Sequence, residues 1–183
     1  AQYIRPFGDT QSLPIFERLY LGGEYDLRGY DIRTIGPTDP LNRGLVLGGN
    51  KDLLFNAEYL ISIAGPVRLI LFYDPGQVRD IGEKFSCKED LTTVTFPNAP
   101  ILTDPFSTVG LVDPNASRGV ATVIGRTSAF KTSTGAEIRF FMPVLNVPFR
   151  LIFAANPQRG GVLDNNLRPA KNFTFKFAVG STF

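Results

Sequence analysis

Residues 172–183 read Asn172-Phe173-Thr174-Phe175-Lys176-Phe177-Ala178-Val179-Gly180-Ser181-Thr182-Phe183. Phe173, Phe175, Phe177, Val179, Ser181 and Phe183 fall on one phase, and Thr174, Lys176, Ala178, Gly180 and Thr182 on the other. A side-chain period of two is the mark of a β-strand, here with one greasy and one mostly polar side. The same rhythm recurs upstream. Leu53 to Ile63 sets Leu53, Phe55, Ala57, Tyr59, Ile61 and Ile63 against Leu54, Asn56, Glu58, Leu60 and Ser62. Val67 to Asp74 sets Val67, Leu69, Leu71 and Tyr73 against Arg68, Ile70, Phe72 and Asp74. Thr134 to Met142 sets Ala136, Ile138, Phe140 and Met142 against Gly135, Glu137, Arg139 and Phe141, and Phe149 to Ala155 sets Phe149, Leu151, Phe153 and Ala155 against Arg150, Ile152 and Ala154. No amphipathic helical pattern of comparable quality is present, so the expected class is all-β.

The connections alternate in length. Ala64-Gly65-Pro66 is a tight turn, about 58 residues separate Asp74 from Ser133, Pro143 to Pro148 is short again, and Asn156 to Lys171 is long. Short turns at one end and long loops at the other, with one aromatic face and one charged face, match an antiparallel up-and-down transmembrane β-barrel. A soluble antiparallel sandwich or small barrel alternates in the same way, but its aromatic face would fill the core and its charged face would meet water. Periodicity leaves both open.

Composition narrows the chemistry. The 183 residues contain no histidine, which excludes a Ser-His-Asp triad, a Cys-His pair and every His-containing zinc site. A single cysteine, Cys87, excludes an internal disulfide and a CxxC redox pair. Nineteen Lys and Arg stand against 17 Asp and Glu with no basic cluster, so no nucleic-acid partner is expected. The longest apolar runs, such as Val67 to Tyr73 with Arg68 inside it, fall far short of the roughly 20 residues a membrane-spanning helix needs. Ala1 to Pro6 has no basic stretch followed by an apolar one, so no signal peptide is expected there. Nothing pairs a nucleophile with a base or gathers metal ligands, and the expectation is a protein that is not an enzyme.

Five strands cannot close a membrane barrel, for which about eight is the smallest number. Left open, they would expose two unpaired edges to lipid. The strands are therefore expected to be part of a larger barrel.

Several ordered motifs then carry a family resemblance. Phe16-Glu17-Arg18-Leu19-Tyr20-Leu21-Gly22-Gly23, Leu27-Arg28-Gly29-Tyr30, Ile35-Gly36-Pro37 and Gly48-Gly49-Asn50-Lys51 resemble the sixth extracellular loop of the BamA family of outer-membrane protein insertases, with its organellar relatives. Asn56-Ala57-Glu58-Tyr59 and Phe72-Tyr73-Asp74-Pro75-Gly76 resemble the two strands that follow it, and Phe183 the family's terminal aromatic residue. The segment Arg79 to Lys131 departs from the family pattern, being longer and richer in proline.

The resemblance implies the last five strands of a sixteen-stranded barrel, with the sixth loop in 1–52, a strand pair in 53–74, a long extracellular loop in 75–132 and three strands in 133–183. It implies that Arg28, followed by Gly29 and Tyr30, folds into the lumen and pairs with Glu58 and Asp74, which both lie on the polar phase of their strands. It implies insertion and folding of β-barrel proteins in the outer membrane of a Gram-negative-type cell, without cofactor or nucleotide. The partners it implies are unfolded outer-membrane proteins, assembly-complex lipoproteins and the lipid bilayer. In such a mechanism the seam between first and last strands opens and templates an incoming strand, and Gly180 in the closing strand would ease the opening. A polypeptide-translocating pore of the same superfamily and a soluble structural β domain are the alternative readings.

Overall fold

Among the described residues, the stretches that alternate in sequence form strands, with one break at Phe55 and Asn56. The computed structural model describes residues 1–8, 13–39, 44–95, 120–142 and 147–179, and among these every regular element is extended. In chain order they are β1 (Gln2–Tyr3), β2 (Lys51–Leu54), β3 (Ala57–Ala64), β4 (Val67–Arg79), β5 (Lys88–Thr95), β6 (Val120–Ser128), β7 (Lys131–Met142), β8 (Val147–Ala155) and β9 (Phe173–Val179). Gly180 and Phe183 lie outside the described residues.

One antiparallel sheet runs β1-β2-β4-β7-β8-β9, with β3 also paired to β4. Each long strand hydrogen-bonds to its neighbours in chain order once the β5–β6 hairpin, a separate two-stranded sheet, is set aside. This is the all-β up-and-down arrangement the connection lengths imply.

β7 and β8 begin earlier than the sequence reading has them, at Lys131 and Val147, and two further differences lie around Pro75. The stretch read as one strand, Leu53 to Ile63, is divided into β2 and β3, although Leu54 faces Gly76 and Ala57 faces Tyr73 in one unbroken register. Phe55 donates its N–H to the carbonyl of Pro75 at 3.0 Å, but proline has no N–H to return the bond, so the ladder lapses there. The following strand, read as ending at Asp74, continues through Pro75 and Gly76, which still pair with β7, and on to Arg79 by pairing with β2.

The two faces of the sheet have opposite fates. Tyr59, Leu71, Tyr73, Phe153, Phe173, Phe175, Phe177 and Val179 point away from the rest of the chain and are exposed, Phe175 at 54%. Their rings form cross-strand pairs, Phe140 with Phe149 and Phe153 with Phe175 at 5.1 Å between centroids. On the opposite face Ile70, Phe72, Asp74, Glu137, Arg150, Ile152 and Ala154 are buried. Charge is inside and aromatic surface outside, the reverse of a soluble sandwich.

What covers the charged face is the segment ahead of β2. It is braced by isolated bridges, Leu19 with Gly49, Leu21 with Ile35 and Thr38 with Val46. Leu21, Leu27, Tyr30 and Ile35 pack with Val78, Val162 and Ala170 into the main apolar cluster. Gly76 makes this seating possible, since a Cβ there would come within 2.9 Å of both Leu21 and Leu27.

Among the described residues between β4 and β7, the regular structure is the β5–β6 hairpin. β6 pairs antiparallel with β5, which lies well upstream in the sequence. Glu89 of β5 fastens it: Lys131 at the start of β7 donates to Glu89 Oε1 at 2.6 Å, and Arg79 at the end of β4 lies 3.1 Å from Oε2. Lys131 also donates to the carbonyls of Ser128 and Gly160, at 2.6 and 2.7 Å.

Candidate functional site

Leu27-Arg28-Gly29-Tyr30 is a tight turn closed by the Tyr30 N–H on the Leu27 carbonyl at 3.0 Å. It presents Arg28, whose side chain is only 4% exposed, to the buried face of the sheet. One guanidinium nitrogen, Nη2, pairs with Glu58 on β3. Nε lies 3.3 Å from Asp74 Oδ2 on β4, and Nη1 donates to Glu137 Oε2 on β7 at 3.0 Å. The planar group also lies over the Phe72 ring, 4.3 Å from its centroid. The sequence-named residues Arg28, Glu58 and Asp74 are thus brought together.

The wall geometry follows from the strand period. Phe72, Asp74 and Gly76 alternate along β4 and so share its inner side. Phe72 lies under the guanidinium, Asp74 meets Nε, and Gly76 leaves space for Leu27. Asn56, at the break between β2 and β3, steadies the assembly by donating to Asp74 Oδ1 and to the Asp26 carbonyl, both at 2.9 Å.

Glu137, Arg139 and Arg150 complete the cluster, and the sequence reading did not single them out as site residues. Arg139 of β7 stands directly opposite Arg150 of β8, a like-charge pair that is unfavourable alone. Glu137 resolves it, accepting from Arg139 Nε at 2.6 Å and from Arg150 Nε at 2.5 Å with one oxygen while the other meets Arg28. Three arginines and three carboxylates balance, which is the condition for holding such groups away from water. Their signal in the sequence is phase: Glu137, Arg139 and Arg150 all lie on the polar side of their strands.

Gly29 and Tyr30 extend the contact across the rest of the sheet. The Gly29 N–H donates to Ser133 Oγ of β7 at 2.9 Å, and its carbonyl accepts from Asn156 Nδ2, just past β8, at 2.9 Å. A Cβ on Gly29 would come within 1.8 Å of Asn156 Oδ1, so the position admits no side chain without rearrangement. Tyr30 is 2% exposed and donates its hydroxyl to the Thr132 carbonyl at 3.2 Å, while its own carbonyl accepts from Lys176 of β9. Burial pushes the Tyr30 phenol above its ordinary range, against the opposing pull of the Thr132 bond and of Arg159. Three consecutive loop residues therefore touch β3, β4, β7, the end of β8, and β9.

The arrangement is a set of salt bridges and hydrogen bonds between a loop and the sheet. Among the described residues no cluster of His, Cys, Asp and Glu could hold a metal ion. Its chemistry is adhesion: a fixed guanidinium and a turn of backbone hold one loop to five neighbouring strands.

Comparison with known proteins agrees with this geometry. The Omp85 superfamily domain matches residues 1–183. The outer membrane protein assembly factor BamA of Neisseria meningitidis is 40% identical over 81 residues, covering 40% of this chain and 10% of that protein. The outer membrane protein assembly factor BamA of Nitratidesulfovibrio vulgaris is 36% identical over 81 residues, covering 43% of this chain and 10% of its own length. The matched region thus spans about a tenth of each relative. These matches bear out the BamA-type resemblance carried by the loop and strand motifs, and with all of its residues matched the chain belongs to the Omp85 superfamily.

Proposed function

We propose that this chain is the closing part of an outer-membrane barrel that inserts and folds other β-barrel proteins. The observation that carries the reading is the Arg28 turn seated on an acidic inner wall while the aromatic face of the same strands is left bare. The segment ahead of β2 acts as the sixth extracellular loop, the segment between the ends of β4 and β7 as a long extracellular loop, and β3, β4, β7, β8 and β9 as the last five of sixteen strands. A bare aromatic face fits a lipid bilayer, and the outer membrane of a Gram-negative-type cell is the reading the two relatives' names favour. Unfolded outer-membrane proteins are the substrates and assembly-complex lipoproteins the partners. No catalytic residue, cofactor or nucleotide enters.

The mechanism follows from strand edges. An edge strand offers a row of unpaired N–H and C=O groups, each costing several kcal/mol in hydrocarbon, so an opened seam at β9 would capture an incoming strand by β-augmentation. Gly180 and Phe183, which the family resemblance assigns to that seam, lie beyond the described residues. The buried charge cluster keeps β3, β4, β7 and β8 rigid while the seam works.

The test is reconstitution of the natural full-length protein in lipid vesicles with a denatured β-barrel substrate. The expected result is faster acquisition of a protease-resistant barrel than in empty vesicles. Passage of the polypeptide into the vesicle interior without insertion would instead identify a translocating pore, and no effect would overturn the reading.

A further inference from the structure

Lys176 stands apart in β9. Its alternate neighbours Phe173, Phe175, Phe177 and Val179 are exposed on the outer side, while Lys176 points inward with a side chain 21% exposed. Its ammonium donates to the Tyr30 carbonyl and lies 4.0 Å from Asp31 Oδ1. The same carbonyl closes the loop turn by accepting from the Gly23 N–H at 3.1 Å, and the Tyr30 hydroxyl is fixed to β7 at Thr132.

This contact has a topological consequence. Sheet hydrogen bonds join only adjacent strands, and β9 is held to β8 through the seven-residue register from Phe149 opposite Val179 to Ala155 opposite Phe173. The link from Lys176 through Tyr30 to Thr132 bypasses β8 and ties β9 to β7 by way of the loop. It exists only when the loop tip is seated. We propose that Lys176 is a positioning residue that couples the hold on the last strand to the docking of the Arg28–Tyr30 turn. Unseating the turn loosens β9, and loosening β9 weakens the seat, since such coupling is reciprocal. The inference deepens the proposed function, because it rests on β9 being the strand that opens, and it names what restrains the opening.

Hydrogen exchange on the natural full-length protein in a bilayer tests it. Lys176→Met should raise amide exchange across residues 173–179 by about tenfold, the equivalent of one hydrogen bond to a charged group. Exchange in β3 and β4 should stay unchanged. Lys176→Arg, which keeps the charge and its donors, should remain close to the wild type. Arg28→Ala should loosen the same amides, and the double variant should add little to either single one, because both act through the seated turn. Unchanged exchange in Lys176→Met, equal loosening of β3 and β4, or fully additive effects would overturn the proposal. Exchange needs no substrate, so the two readings fail separately. A wild-type protein that leaves barrel folding unaccelerated would end the insertase reading alone, and unaltered exchange in a protein that accelerates folding would end the coupling alone.

Discussion

Arg28 and Glu137 illustrate how the cost of burying charge is met at single residues. Each side chain is at most 4% exposed, and an isolated guanidinium or carboxylate in such a place would cost several kcal/mol. Glu137 escapes by meeting three arginines, and Arg28 by meeting three carboxylates. Removing Glu137 leaves the buried Arg150 without a carboxylate and takes one partner each from Arg28 and Arg139, whereas Glu58 lies on β3 with a side chain 28% exposed and has water to turn to. Glu137→Gln should therefore destabilise the natural protein by about 3–5 kcal/mol, and Glu58→Gln by clearly less. A double-mutant cycle of Arg28→Ala with Glu137→Gln, followed by urea unfolding in lipid, should show a coupling of about 1–3 kcal/mol. Additive losses would mean that Arg28 and Glu137 are not coupled and that the guanidinium is not held by β7. Asp74 and Glu58 could be named from the sequence because motif and phase agreed. Glu137 shared the phase, but which inward carboxylate meets the turn depends on the stagger between strands, and one strand's periodicity does not encode that.

At the scale of the element, periodicity was sufficient for strand type and facing in β4, β8 and β9, which each have one more covered and one more bare side, whereas β3 is bare on both. It failed at Pro75, where a residue that usually ends a strand is carried through by pairing on both sides, and where its missing N–H splits the neighbouring strand instead. The β5–β6 pairing was not legible either, because its two strands are distant in sequence. What docks this hairpin is charge rather than apolar area: Glu89 meets both Lys131 and Arg79 at the ends of β7 and β4. Glu89→Gln should weaken that docking by about 1–3 kcal/mol, because it leaves the buried Lys131 ammonium without its counter-charge. Limited proteolysis should then cut within β5 and β6 several-fold faster, with β7 and β8 still protected. Equal cleavage in both proteins would show that the hairpin is held by other contacts.

For the whole molecule, the decisive feature is the inversion of inside and outside. Charged side chains are buried beneath a loop, aromatic ones are bare, and the outer edges of β3 and β9 carry no partner among the described residues. In water this combination is adhesive. A polypeptide limited to these 183 residues should self-associate or require detergent, as sedimentation in plain buffer would reveal; a folded monomer there would contradict the barrel reading. The most direct test is to place spin labels singly at Phe173, Thr174, Phe175, Lys176 and Phe177 of the natural protein in a bilayer, and to measure collisions with oxygen and with a water-soluble nickel chelate. Oxygen access should peak at Phe173, Phe175 and Phe177 and fall at Thr174 and Lys176, with the nickel chelate low at the three aromatic positions. A flat profile or the opposite phase would contradict the account, because the aromatic face would then be an interior and the charged wall would not be the seat of the loop.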